Sequence, residues 1–219
     1  MAVCDELLKR LRHLPTAALS DALDVLGLPG ALEGIAPLST DYRVVGPAFT
    51  VQYAPIDTDG GTVGDFLDDV PAGAVVVIDN AARIDVTVWG GIMTEVATVR
   101  GVGGTVINGV CRDVTTSLSQ NYPIFSRGRF MRTGKDRVRL AAVGEAVTIA
   151  GVDIAPLDII CADSDGAVSV PESKALQVAE IAEQIEQVES DIVAAVRAGS
   201  MLRQARTHFA YHELQRRRA

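Results

Sequence analysis

The sequence predicts an α/β domain built on a mixed sheet, and three observations predict it. Short β-branched runs alternate with helical stretches over residues 63–126, the rhythm of a parallel or mixed sheet under covering helices. A group of short β runs parted by turn residues follows over 143–170, and then a long stretch with apolar residues at helical spacing. Apolar residues make up 48% of the 219 and aromatics only 5%, so the core rests on Val, Ile, Leu and Ala.

Residues 5–13 (DELLKRLRH) carry leucines at helical spacing and predict a short amphipathic helix that Pro15 ends. Ser20 is a good N-cap residue, which predicts a helix over 21–26 stopped at Gly27. Residues 30–41 read as loop, and 43–53 as a strand bent at Gly46-Pro47. Asp57 and Asp59 with Gly60 and Gly61 read as a turn. The alternation then gives a short helix at 63–69, a buried strand at 74–78 (AVVVI) and a helix at 91–100. It continues with a strand at 104–108, a short helix at 115–120 and a short strand at 124–126. Strands follow at 147–149, 152–154, 158–161 and 167–170, separated by Ala150-Gly151, Ala155-Pro156-Leu157 and Ser164-Asp165-Gly166. Pro171 opens a helix that runs to Arg197, Gly199 interrupts it, and a second helical piece follows. There is no repeat or linker, so 1–219 reads as one domain, with 171–219 a helical extension packing on it or on a neighbouring subunit.

Charge and cysteine usage exclude several classes. A net charge of −8 repels phosphate and argues against general nucleic-acid binding. Residues 203–219 are locally basic through Arg203, Arg206, Arg216, Arg217 and Arg218, which reads as a solvated helix end or a docking tail. Cys4, Cys111 and Cys161 are too widely spaced for a disulfide framework or a zinc pattern. The charged residues of the first turns are wrong for a signal peptide, and the apolar runs are too short to span a bilayer. The expected compartment is the cytoplasm, with no membrane partner.

The chemistry concentrates in 88–114 (VWGGIMTEVATVRGVGGTVINGVCRDV). Gly90 and Gly91 stand where a strand gives way to a helix. They either make the turn only, or leave bare N–H groups at a positive helix end, a site for a carboxylate or phosphate. The next strand ends before Arg112-Asp113. In open α/β sheets ligands gather beyond the carboxyl ends of strands, so both stretches belong to one crevice. Arg112 offers a planar fork for a carboxylate or oxo group, and Asp113 a ligand for a hydrated Mg²⁺. The alternative is an Arg–Asp pair that serves a helix N-cap. Elsewhere, 163–166 reads as a turn, His208 and His212 as surface residues, and Cys111 as a small buried residue. Gly101-Val102-Gly103-Gly104 follows a helix and precedes a strand, the reverse of a nucleotide loop.

These residues carry a resemblance. The pieces are LSDALDVLG (19–27), GPAFTV (46–51), WGGIM (89–93), RGVGGTVINGVCRDV (100–114), YPIFSRG (122–128) and GVDIAPLDIICADSDGAVSVP (151–171). In this order, over nearly the whole chain, they resemble the class II 4-hydroxy-4-methyl-2-oxoglutarate / 4-carboxy-4-hydroxy-2-oxoadipate aldolases. That family shares its fold with the ribonuclease E activity regulator, and members are also labelled demethylmenaquinone methyltransferase-like. The resemblance implies a swivelling ββα-type layered domain with a mixed sheet and C-terminal helices, assembled as a homotrimer or hexamer with sites between subunits. It implies a pyruvate-type 2-oxo acid held by the backbone of Gly90, Gly91, Ile92 and Met93 and by Arg112, the catalytic residue. It implies Mg²⁺ or Mn²⁺ on Asp113, supported through water by an acid on the C-terminal helix of a neighbouring subunit, where Glu189 matches best and Glu186 second. The expected activity is metal-dependent lyase chemistry: retro-aldol cleavage, decarboxylation of oxaloacetate, or both. The alternative is a non-catalytic binding or regulatory protein on the same fold. Family aldolases carry an acid twenty-one positions before the arginine, where this chain has Gly91. The regulators lack the metal aspartate, which this chain has as Asp113.

Overall fold

The computed structural model describes residues 5–56 and 63–214 (the Glu213 side chain excepted), so the expected turn at 57–61 and Arg216–Arg218 lie outside the described residues. The elements in chain order are α1 (Asp5–His13), α2 (Thr16–Val25), β1 (Ala36–Pro37), β2 (Val44–Pro55), β3 (Val75–Thr87), α3 (Gly91–Val99), β4 (Gly104–Cys111) and α4 (Val114–Ser119). They continue with β5 (Ile124–Arg129), β6 (Val138–Val143), β7 (Val147–Ile149), β8 (Val152–Ile154), β9 (Ile159–Asp163), β10 (Gly166–Val170), α5 (Ala175–Arg197), α6 (Leu202–His208) and α7 (Tyr211–Leu214). Residues 65–69 and 172–174 form 3-10 turns.

Among the described residues, eight strands form one mixed sheet in the order β1-β5-β4-β3-β2-β9-β10 with β6 paired on β2, and β7 and β8 form a separate two-stranded sheet. β2, β3, β4 and β5 run parallel, while β1, β9 and β10 pair antiparallel to their neighbours. The Gly46-Pro47 bend is where β2 changes company. Val44–Pro47 pair with β9, whereas Val51–Pro55 pair with β6. Gly46 lets β2 approach the turn that enters β3, because a Cβ there would stand 2.4 Å from the Gly73 carbonyl oxygen.

Side chains alternate across the sheet, as a strand's period of two requires. On β3, Val76 and Ile78 face a core shared with Trp89, Met93, Ala97 and Tyr122. Val75 and Val77 face the other way, onto Val147, Ile149, Val152 and Ile154 of the β7–β8 hairpin. A third core joins α1, α2 and α5 to β9 and β10, where α5 buries Val178, Ala179, Ile181, Ala182 and Ile185. The long helix of the C-terminal extension is thereby packed on its own chain. No helix among the described residues is long and apolar enough to cross a membrane.

Several expectations change. The helix expected at 21–26 starts at Thr16, with Ser20 inside it. Its start is capped from far away in sequence: Asp163 accepts from the Thr16 N–H (2.9 Å) and the Thr16 hydroxyl (2.6 Å). Buried Asp163 also accepts the Asp165 N–H at 3.1 Å, which settles 163–166 as a turn closing the β9–β10 hairpin. The helix expected at 63–69 is the 3-10 turn at 65–69. β3 runs nine residues beyond the expected end at Ile78, through Ala81 and Ala82 at positive φ (52° and 56°). β6 had no sequence expectation, because its half-exposed alternation (RLAAV) is too weak a signal.

Arg10 on α1 makes a bidentate pair with Glu183 on α5, both contacts 2.8 Å. These hydrogen bonds, outweighing burial, hold the Glu183 carboxyl below its usual range. A depressed folded-state pKa gives stability that is present above the ordinary carboxylate range and lost as pH falls through the folded value. Both side chains are partly exposed, so the pair contributes at most about 1 kcal/mol. Arg10→Met is expected to lower the urea midpoint slightly at about pH 7 and not at all at about pH 2. An equal loss at both values contradicts this role.

Candidate active site

Two consecutive parallel strands deliver the site. β3 ends at Thr87 and its chain turns through Val88–Gly90 into α3; β4 ends at Cys111 and turns through Arg112-Asp113 into α4. Because β3 and β4 are neighbours, both turns open on one side of the sheet. They line one cavity of about 400 Å³ whose walls include Gly90, Gly91, Ile92, Met93, Arg112 and Asp113. The structure therefore brings together every residue of this chain expected at the site except those on the C-terminal helix.

Asp113 stands at the N-cap position of α4 but does not cap that helix with its side chain. Its Oδ2 instead accepts the Gly91 N–H at 2.8 Å, at the start of α3. A carboxylate is favoured there by the positive end of the helix. The backbone supports this reach with a left-handed φ of 55° at Asp113, which Asp tolerates better than most residues. Arg112 Nε lies 3.5 Å from the same oxygen, and the Arg112 N–H donates to the Trp89 carbonyl at 3.0 Å. Arg112 and Asp113 are 39% and 46% exposed, accessible to a ligand entering from solvent.

The glycines explain how closely the two turns approach. A Cβ on Gly90 would stand 2.9 Å from Asp113 Oδ2 and 3.1 Å from Arg112 Nε. A Cβ on Gly91 would lie 3.3 Å from the Asp113 Cβ and 3.4 Å from Thr116 Oγ1. An acid at position 91 would thus press on Asp113 itself. The next N–H groups of α3, on Ile92 and Met93, fall in the helix's first turn and have no intrahelical acceptor.

Asp113 Oδ1 carries no hydrogen bond among the described residues, so one oxygen is left for a cation. No group of three His, Cys, Asp or Glu that could hold a metal is found among the described residues. One open carboxylate oxygen fits a hard, largely hydrated ion such as Mg²⁺ or Mn²⁺, which keeps several waters, and not a fully protein-bound ion.

Glu186 and Glu189 lie on α5, outside this cavity. Glu189 accepts the Tyr211 hydroxyl at 3.3 Å, and burial together with nearby Glu189 raises the Glu186 carboxyl pKa. Cys111 is fully buried in the core beneath the site, and burial pushes its thiol pKa up. The His208 and His212 rings pack edge-on against Phe209 and Tyr211.

The structure adds Val63, Thr133, Gly134 and Lys135 to the cavity wall. The segment carrying Thr133 to Lys135 returns to the site because the Thr87 N–H donates to the Arg132 carbonyl (3.0 Å) and Thr87 bridges Thr133. Its local sequence is polar and aperiodic, so only tertiary pairing reveals it.

The left-handed backbone at Asp113 yields a stability prediction. Asp113→Ala and Asp113→Gly both lose the carboxylate, but only glycine relieves the backbone. Asp113→Gly is expected to be the more stable of the two by about 1 kcal/mol in urea unfolding. The opposite order contradicts the assigned conformation.

Comparison with known proteins places the chain in a family. The family model described as "RraA-like: Aldolase/RraA" matches residues 16–169. DlpA of Legionella pneumophila is 40% identical over 210 residues, covering 94% of this chain; the chain spans only 34% of DlpA. A Halalkalibacterium halodurans protein named "Putative 4-hydroxy-4-methyl-2-oxoglutarate aldolase" is 32% identical, covering 88% of this chain and 93% of its own. Among solved structures, an uncharacterized protein of Pseudomonas syringae pv. tomato superposes with a TM-score of 0.91 at 46% identity, covering 95% of this chain and 96% of its own. Streptomyces coelicolor RraAS2, described as an unusual member of the RNase ES inhibitor RraA protein family, superposes with a TM-score of 0.78 at 28% identity, covering 87% and 96%. A family model covering most of the chain, with relatives at 32% identity and above over most of its length, leads to one assignment: the chain belongs to the Aldolase/RraA family.

Proposed function

We propose that the protein is a divalent-metal-dependent carbon–carbon lyase acting on pyruvate-type 2-oxo acids. The observation that carries this reading is the Gly91–Asp113 hydrogen bond. It gathers a guanidinium, an open carboxylate oxygen and free helix N–H groups around one cavity.

In this reading the substrate carboxylate lies over the N–H groups of Ile92 and Met93. The Arg112 guanidinium faces the keto oxygen and stabilises the charge that builds there as the C–C bond breaks. Decarboxylation of oxaloacetate releases CO₂ and leaves the pyruvate enolate. Retro-aldol cleavage of 4-hydroxy-4-methyl-2-oxoglutarate gives that enolate and a second pyruvate once the 4-hydroxyl proton has been removed. A proton delivered to the enolate carbon then completes pyruvate. Mg²⁺ or Mn²⁺ held at Asp113 supplies Lewis-acid stabilisation of the same developing charge. Lys135 on the cavity wall offers a cation for the distal carboxylate of 4-hydroxy-4-methyl-2-oxoglutarate, which stays on the second pyruvate. Assembly as a homotrimer or hexamer is part of the proposal, with a neighbouring copy turning α5, and with it Glu189, toward the cavity.

Gly91, standing where family aldolases carry an acid, favours a second reading: a non-catalytic protein that binds 2-oxo acids on this fold. One assay separates the two. Pyruvate release is measured from oxaloacetate and from 4-hydroxy-4-methyl-2-oxoglutarate, with Mg²⁺ and with EDTA, against a protein-free control because the metal alone decarboxylates oxaloacetate. The lyase reading predicts metal-dependent release above the control. It predicts at least about a hundredfold loss of kcat/KM in Arg112→Ala, and loss of both activity and metal dependence in Asp113→Ala. Oxo-acid binding without release of pyruvate from either substrate favours the second reading.

A further inference from the structure

The Gly90–Gly91 peptide is the element that ties α3 to Asp113, and its other end is held as well. Thr94, one turn into α3 and fully buried, carries a hydroxyl at the centre of three contacts. The Trp89 indole N–H donates to Thr94 Oγ1 at 3.0 Å, Ser117 Oγ of α4 lies 3.1 Å away, and the Gly90 carbonyl lies 3.3 Å away. A hydroxyl has one proton and two lone pairs. All three contacts are satisfied only if Trp89 and Ser117 donate to Thr94 and Thr94 donates to Gly90. In that arrangement the Gly90 carbonyl accepts the Thr94 hydroxyl beside the Thr94 N–H, which donates to it at 3.1 Å.

A helical threonine often returns its hydroxyl to the carbonyl four residues back. Here that carbonyl belongs to the peptide whose N–H holds Asp113 Oδ2 at 2.8 Å. We propose that the Thr94 hydroxyl is a positioning group: it sets the plane of the Gly90–Gly91 peptide and, through the Gly91 N–H, the direction in which Asp113 presents Oδ1. Ser117 locks the same hydroxyl to α4, so the starts of the two site helices move as one body. This inference rests on the cation-binding reading of Asp113. It adds a supporting residue that touches neither substrate nor cation.

The test is Mn²⁺ affinity, read from the EPR signal of the free ion, together with Trp89 fluorescence. Trp89 is the chain's only tryptophan, so its emission reports directly on the Thr94 contact. Thr94→Val keeps the shape and removes the hydroxyl. It is expected to weaken Mn²⁺ binding by about tenfold or more, as loss of a supporting hydrogen bond at a metal site typically does. Trp89 emission moves to shorter wavelength as the indole N–H loses its partner. Thr94→Ser restores both to within about threefold of wild type. Thr16→Val serves as the stability control, because it removes another buried hydroxyl contact, to Asp163 at 2.6 Å, at the start of α2 and outside the cavity wall. It leaves Mn²⁺ affinity unchanged.

Unchanged affinity in Thr94→Val overturns the positioning role and leaves the cation-binding reading standing. Equal losses in Thr94→Val and Thr16→Val overturn it too, since they report stability alone. A wild-type protein that binds no Mn²⁺ overturns both readings. If Thr94→Val does not fold, Ser117→Ala replaces it: the proposal requires a weakening of about threefold, and wild-type affinity refutes it.

Discussion

The structure of the site depends on one hydrogen bond, from the Gly91 N–H to Asp113 Oδ2. It joins the first turn of α3 to the residue that precedes α4. Each partner is unusual on its own. Asp113 sits in a left-handed conformation and leaves its own helix uncapped by its side chain; Gly91 follows a glycine whose Cβ would crowd the Asp113 carboxylate. Together they satisfy one another, and Arg112 is carried to the cavity between them. The bond also divides the carboxylate's work, because one oxygen faces the helix and the other carries no hydrogen bond among the described residues.

That bond needs a sheet that places two turns side by side. The parallel pairing of β3 and β4 does so, from Val75 opposite Gly104 to Thr87 opposite Val110. The alternation of Val75 to Ile78 clamps the sheet between two apolar cores, so its strand ends are fixed by burial on both faces. The Thr87 hydroxyl, within 2.9 Å of both the Trp89 and Val110 carbonyls, links the turns just below the cavity. Trp89, stacked on Tyr122 at 5.8 Å, anchors the first turn in the core. Both turns are thus tied to the core beneath the cavity, as a preorganised site requires.

Local signals were legible where the responsible residues are close in sequence. α1 has the boundaries its leucine spacing and Pro15 imply, and the β7–β8 hairpin follows from Ala150-Gly151, both at positive φ. Arg197 ends α5 as its apolar spacing implies, and Gly199 takes the left-handed conformation beyond it. Long-range causes were not legible. The start of α2 depends on Asp163, 147 residues away. The outer part of β3 and all of β6 exist through pairing, not propensity. The same division runs through the site. Glycines before a helix and Arg-Asp after a strand pointed to the cavity, whereas Lys135 and the Thr94–Ser117 link emerge only once the strands are assembled.

The central claim is that Arg112, Asp113 and the start of α3 form a single site for a 2-oxo acid and a cation. A crystal structure with Mn²⁺ and oxalate, a planar mimic of the pyruvate enolate, tests it most directly. The account predicts an anomalous peak beside Asp113 Oδ1, with oxalate against the Arg112 guanidinium and the N–H groups of Ile92 and Met93, and the Gly91–Asp113 hydrogen bond intact. A manganese peak away from Asp113, or oxalate bound without contact to Arg112, would contradict it.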